Sequence, residues 1–134
     1  MVEYITRIQG AGKTRVMAQA AAITAEQSKG NVIYVDNSDK LSLTLPTNIR
    51  LINTCDYNID SAVMLYGFLV GLCAGDYDLT DVFVESTMDI ILKSNTDIND
   101  FMEIVKKVSD VTDVNFHFAI CDRQEKALAY QSVE

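Results

Sequence analysis

The stretch Gly10-Ala11-Gly12-Lys13-Thr14 decides how this chain is read. Before it stands Val2-Glu3-Tyr4-Ile5-Thr6, short and rich in strand-forming side chains. After it, Arg15 to Lys29 is rich in alanine and reads as helix. A strand, a glycine turn closing on Lys-Thr and then a helix form a setting in which phosphate is held. Backbone N–H groups converge on the phosphate oxygens, the lysine adds charge, the hydroxyl takes Mg²⁺, and the helix N-terminus favours the anion. Lysine at a helix N-terminus opposes the macrodipole, so a plain glycine turn without an anion is a poor explanation for the placement. The full pattern, G-x-x-x-x-G-K-[ST], has its first glycine at position 7, where this chain carries Arg7.

Outward from the loop, the chain alternates between the two periods. Gly30 stops the first helix, and Asn31 leads into Val32-Ile33-Tyr34-Val35, a near-continuous apolar run expected of a strand covered on both faces. Strand, helix and strand at this spacing predict a right-handed, parallel βαβ unit. On the first helix, Val16, Met17, Ala20 and Ile23 are the residues available to the sheet. Leu41 to Leu45 alternates and reads as a short strand ended by Pro46, and Ile49 to Asn53 reads as a further strand. Asn58 or Asp60 is expected to cap a helix running to about Ala74. From Ala62 to Gly75 that helix has no charged side chain, so burial by the sheet on one side and by something else on the other is expected. Its Gly67, Gly71 and Gly75 form a flat strip, for which close packing on the sheet is the expected role and a contact with a second copy the alternative.

Val82-Phe83-Val84 is a short strand ending at Glu85-Ser86-Thr87, and Met88 to Lys93 makes one or two helical turns. A helix begins at Thr96 or Asp97 and turns Ile98, Phe101, Met102, Val105 and Val108 to one face, with Glu103 and Lys107 paired on the other. Val114 to Cys121 is the last strand, and Glu125 to Tyr130 is expected to form a short helix. The sum is an α/β fold over residues 1–134: one domain, a three-layer sandwich around a mostly parallel sheet of about five strands. In such sheets ligands sit at the carboxyl ends of the strands. The loop, Asp36, Cys55-Asp56, Glu85 and Asp122-Arg123 all fall there.

Composition narrows the partners. The net charge is −8, with six basic and six acidic residues in 1–74 but five basic against thirteen acidic in 75–134. An acidic second half repels nucleic acid and anionic membranes, so neither is expected as a partner. No stretch is long and apolar enough to span a bilayer, and the N-terminus lacks a signal-peptide layout. Cys55, Cys73 and Cys121 lie far apart, outside metal-ligand spacing, and are expected to be buried, reduced thiols of a cytoplasmic protein.

With Gly10-Ala11-Gly12-Lys13-Thr14 and the apolar strand Val82-Phe83-Val84-Glu85, the chain resembles the P-loop NTPase superfamily, and in particular small single-domain bacterial ATP-binding proteins. The resemblance implies ATP as the ligand, with GTP not excluded, and Mg²⁺ as the cofactor. Lys13 would contact the β- and γ-phosphates, Thr14 would coordinate Mg²⁺, and Gly10, Ala11 and Gly12 would offer backbone N–H groups. The second motif of that superfamily is an apolar strand ending in Asp, often followed by Glu. If Glu85 holds the Asp position, on the metal side, Ser86 stands where the activating carboxylate is usual. If Glu85 is that carboxylate, the metal-side position is Val84, which holds no metal. Either way one carboxylate stands where efficient hydrolases tend to have two, while a solvated strand-end glutamate is the plainer alternative.

Other residues are weighed in the same way. Arg7 either points outward or lies across the phosphates. Asp36 is a second acid, at the end of a strand adjacent to the loop strand in many such sheets, or simply a turn-former. Arg15 and Arg123 are candidate charge stabilisers at the nucleotide. His117, alternating with Phe116 and Phe118 within a strand, is expected to be packed or partly exposed rather than catalytic. Three functions follow: an NTP-binding protein with weak Mg²⁺-dependent hydrolysis, a nucleotide-sensing module without useful turnover, and a small phosphotransferase. Self-association through the apolar helix is the expected protein contact.

Overall fold

The computed structural model describes residues 1–7, 13–85, 87–121 and 130–132. The strands are β1 (Val2–Arg7), β2 (Asn31–Asp36), β3 (Ile49–Asn53), β4 (Leu79–Val84), β5 (Asn115–Cys121) and the short β6 (Tyr130–Ser132). They form one sheet in the order β3-β2-β4-β5-β1-β6, the first five parallel and β6 antiparallel to β1. The helices are α1 (Lys13–Gln27), α2 (Ala62–Gly75), α3 (Thr87–Lys93) and α4 (Ile98–Thr112). Among the described residues no helix is long and apolar enough to cross a membrane.

Alternation along the strands divides the apolar residues between two cores. Val32, Tyr34, Ile49, Phe83 and Ala119 pack with Met17, Ala21 and Ala25 of α1. Ile33, Val35, Ile52, Val82, Val84, Phe116 and Phe118 pack with Leu65 and Leu69 of α2 and Phe101, Met102 and Val105 of α4. Helices on both faces of a parallel sheet make the expected three layers. The handedness rule accounts for the division. The chain steps across the sheet from β1 to β2 over one face, and its return from β3 through β4 to β5 must cross the other.

Local signals set most boundaries. Ser61 caps α2 by accepting the Met64 N–H at 3.2 Å, and Asp97 caps α4 by accepting the Asn99 N–H at 2.8 Å. Asp113 ends α4 in the left-handed conformation, φ 63°, its N–H bonded to the Ser109 carbonyl. Gly30 is required by close approach: a Cβ there would lie 2.0 Å from the Asp78 carbonyl oxygen.

Several expectations are corrected. Residues 41–45 form turns, not a strand, and Leu45 is buried against the α1 core. The cap of α2 is Ser61, because Asn58 closes a 3₁₀ turn over Thr54–Tyr57 at φ 55°. The buried stripe of α1 is Met17, Ala21 and Ala25, at spacing four, which leaves Ile23 56% exposed. Tyr130 belongs to β6; the rest of the expected terminal helix, 125–129, lies outside the described residues. The strip of α2 does not pack on the sheet, since a Cβ at Gly67, Gly71 or Gly75 would meet nothing within 4 Å. Cys55 is exposed and Cys73 half-buried, so neither fits the buried-thiol expectation. Finally, β2 is not adjacent to β1, because β5 and β4 lie between them.

Candidate functional site

The carboxyl ends of the parallel strands face one edge of the molecule. β1 delivers the chain to that edge at Arg7, and α1 starts back from it at Lys13, with Thr14 in its first turn and no acidic residue in that turn. Gly10, Ala11 and Gly12 lie outside the described residues, as do Ser86, Asp122 and Arg123. Arg15 is exposed and lines a shallow groove of about 560 Å³ between α1 and the 41–46 turn, beside Leu41 and Pro46.

Glu85 follows β4 directly at the same edge. Its N–H donates to the Val35 carbonyl at 2.8 Å, extending the β2–β4 pairing by one residue. The side chain is buried, and Oε1 accepts a hydrogen bond of 2.5 Å from the Tyr34 hydroxyl. Glu85 therefore lies on the face that α1 covers, whereas Val84 points into the opposite core. The alternative of a solvated strand-end glutamate does not hold. Two strand spacings, about 10 Å, separate the ends of β1 and β4. β5 lies between them, so Glu85 and the start of α1 stand on either side of the carboxyl end of β5.

Asp36 is three spacings from β1 and is consumed locally. Its Oδ1 accepts the Asn37 N–H at 2.7 Å and its Oδ2 lies 3.4 Å from the Ser38 hydroxyl, the geometry of a turn-former. At the edge near β3 a groove of about 580 Å³ opens between the 3₁₀ turn and α3, with Asn37, Asp60, Asp89 and Lys93 among its walls. The Cys55 thiol faces it and donates to the Asn37 carbonyl at 3.4 Å.

Sequence reasoning passed over Tyr34. Its signal was present: a phenol within an otherwise aliphatic buried run must find a partner for its hydroxyl. A second polar cluster was also missed. His117, buried on the α1 side of β5, has Nε2 2.8 Å from Asp81 Oδ2 and Nδ1 3.1 Å from Glu3 Oε2. Its ring stacks on Phe83 at 4.1 Å, and Phe83 stacks on Tyr34 at 6.1 Å. Burial acts to raise the Asp81 carboxyl. Hydrogen bonds from His117, Thr80 and Asn115, with the His117 charge, outweigh it and hold the group below its ordinary value. Acids at positions 3 and 81 inside strands were the available clue, since charge in a covered sheet is normally paired.

Mg²⁺ takes hard oxygen donors and retains water, so a hydroxyl residue at the start of α1 and one buried carboxylate two strands from β1 suit its chemistry when a phosphate supplies the remaining oxygens. Among the described residues no group of three or more His, Cys, Asp or Glu side chains is placed to hold a metal by itself. No family model matches the chain, and no curated protein matches it.

Proposed function

We propose that the chain binds a nucleoside triphosphate, with ATP as the nucleotide, and hydrolyses it slowly with Mg²⁺. The observation that carries this reading is the start of α1 at Lys13-Thr14 immediately after the β1 loop, with buried Glu85 about two strand spacings away on the same face. A helix that opens on lysine, without an acid in its first turn, gains from an anion at that end. The P-loop resemblance supplies the roles. Lys13 and the N–H groups of Gly10, Ala11 and Gly12 hold the phosphates, while Thr14 and, directly or through water, Glu85 hold the metal side. When bound, Mg²⁺ neutralises charge building on the transferred phosphoryl group.

Glu85 also orients water, but as a weak base. The Tyr34 hydroxyl occupies one of the lone pairs that would otherwise receive a proton, and no second carboxylate is adjacent in sequence. This same hydrogen bond favours a second reading, a nucleotide-sensing module without useful turnover. Calorimetric titration with Mg²⁺-ATP tests both: saturable heat is expected from the unmutated chain and none from Lys13→Ala. An unmutated chain that gives no heat ends the nucleotide reading. Phosphate release that falls in Glu85→Gln, with binding retained, separates the slow enzyme from the module.

A further inference from the structure

The groove between α1 and the 41–46 turn begins at the first turn of α1. Arg15, Gln19 and Ala22 stand at i, i+4 and i+7 on one face of the helix, with Ala18 beside them. The groove therefore follows the helix axis for about 10 Å. Its opposite wall is preformed. The N–H groups of Thr44 and Leu45 donate to the Leu41 carbonyl at 3.1 and 3.0 Å, and the Leu45 side chain is buried with Met17 and Ala21. Leu41 and Pro46 are thus held across the groove from the alanines of α1.

Charge sets this groove apart. Arg15 is the one charged residue among those lining it, and no carboxylate lines it, in a chain of net charge −8. The groove of about 670 Å³ between α2 and β3 carries Asp76 with Arg50, and the one beside Cys55 carries Asp60 and Asp89. Apolar walls with one cation at the end nearest Lys13-Thr14 suit a ligand that is flat and apolar at one end and anionic at the other.

We propose that this groove holds the base of the bound nucleotide and that the base is adenine. This rests on the nucleotide reading above and adds where the nucleoside lies and which base is taken. With the triphosphate at the start of α1, Gln19 stands about 8 Å further along the axis than Thr14, within the length of a ribose and its base. The small side chains of Ala18 and Ala22 leave room for a planar ring against Leu41 and Pro46. Gln19 supplies the one side-chain amide of the lining. Its N–H donates to adenine N7 and its oxygen accepts from the N6 amino group, a bidentate pair. Guanine has an acceptor, O6, where adenine has that amino group. The donors at guanine N1 and N2 suit a carboxylate, which this lining lacks.

Calorimetric titration with Mg²⁺-ATP, Mg²⁺-GTP and magnesium triphosphate, which carries no base, tests this. The unmutated chain is expected to bind ATP about tenfold or more tightly than either of the others. Gln19→Ala, at an exposed helix position, should bring ATP and GTP within about threefold of each other. Ala22→Leu, which fills the groove, should weaken ATP about tenfold. Both variants should keep the triphosphate affinity and a native circular dichroism spectrum. ATP and triphosphate bound equally by the unmutated chain overturn the proposal and leave the phosphate site standing. So does an ATP affinity that neither variant alters. GTP bound as tightly as ATP overturns the choice of base. A chain that binds none of the three ends the nucleotide reading and this proposal with it.

Discussion

The Tyr34 hydroxyl and the Glu85 carboxylate are hydrogen-bonded at 2.5 Å across the β2–β4 pair, with both side chains buried. Tyr34→Phe keeps the ring stacked on Phe83 and removes one donor from a buried carboxylate. A loss of about 1–3 kcal/mol in unfolding free energy is expected from denaturant titration. On the nucleotide-binding reading, ATP affinity stays the same and the hydrolysis rate changes, because Tyr34 orients Glu85 and touches no phosphate. An affinity that collapses with the hydroxyl would place Tyr34 in a different role.

Asp81 ties acid stability to the His117 cluster. Its native carboxyl binds a proton less tightly than the unfolded chain's does. The group therefore contributes stability that is fully present above the unfolded value, about 3.9, and is lost as pH falls through the lower native value. Urea midpoints followed from neutral pH into acid should fall in the unmutated chain and fall less steeply in Asp81→Asn. At neutral pH, Asp81→Ala should cost about 3 kcal/mol, since it leaves the buried His117 with Glu3 alone.

Glycine substitutions should divide by location. Gly67→Ala adds a methyl group in open space within a helix, so a gain of about 0.5–1 kcal/mol is expected in thermal or chemical melts. Gly30→Ala should lose stability, because its Cβ would collide with the Asp78 carbonyl oxygen, which also accepts the Asn31 N–H at 2.7 Å.

The two described thiols should differ in reactivity. Cys55 is exposed, whereas burial pushes the Cys73 thiol up and keeps it protonated. Peptide mapping after brief alkylation of the native chain should find Cys55 modified well before Cys73. Equal rates would mean that α2 opens readily.

What the sequence determined was local and periodic. The parallel strands β1 to β5, the helices α1, α2 and α4, and the sharing of apolar residues between two faces follow from period two, period near four and the turn residues between them. The Lys13-Thr14 start of α1 and the strand-end position of Glu85 were equally legible. Periodicity says whether a residue points inward, not which neighbour it meets there. So only the tertiary structure separated Asp36 from the loop strand, set Tyr34 against Glu85 across fifty-one positions, and closed Asp81 and Glu3 around His117. The same limit applies to α2. Its uniformly apolar sequence required cover, and only the order of the strands, which puts β3 at the edge, decided that the flank beside β3 would be left open.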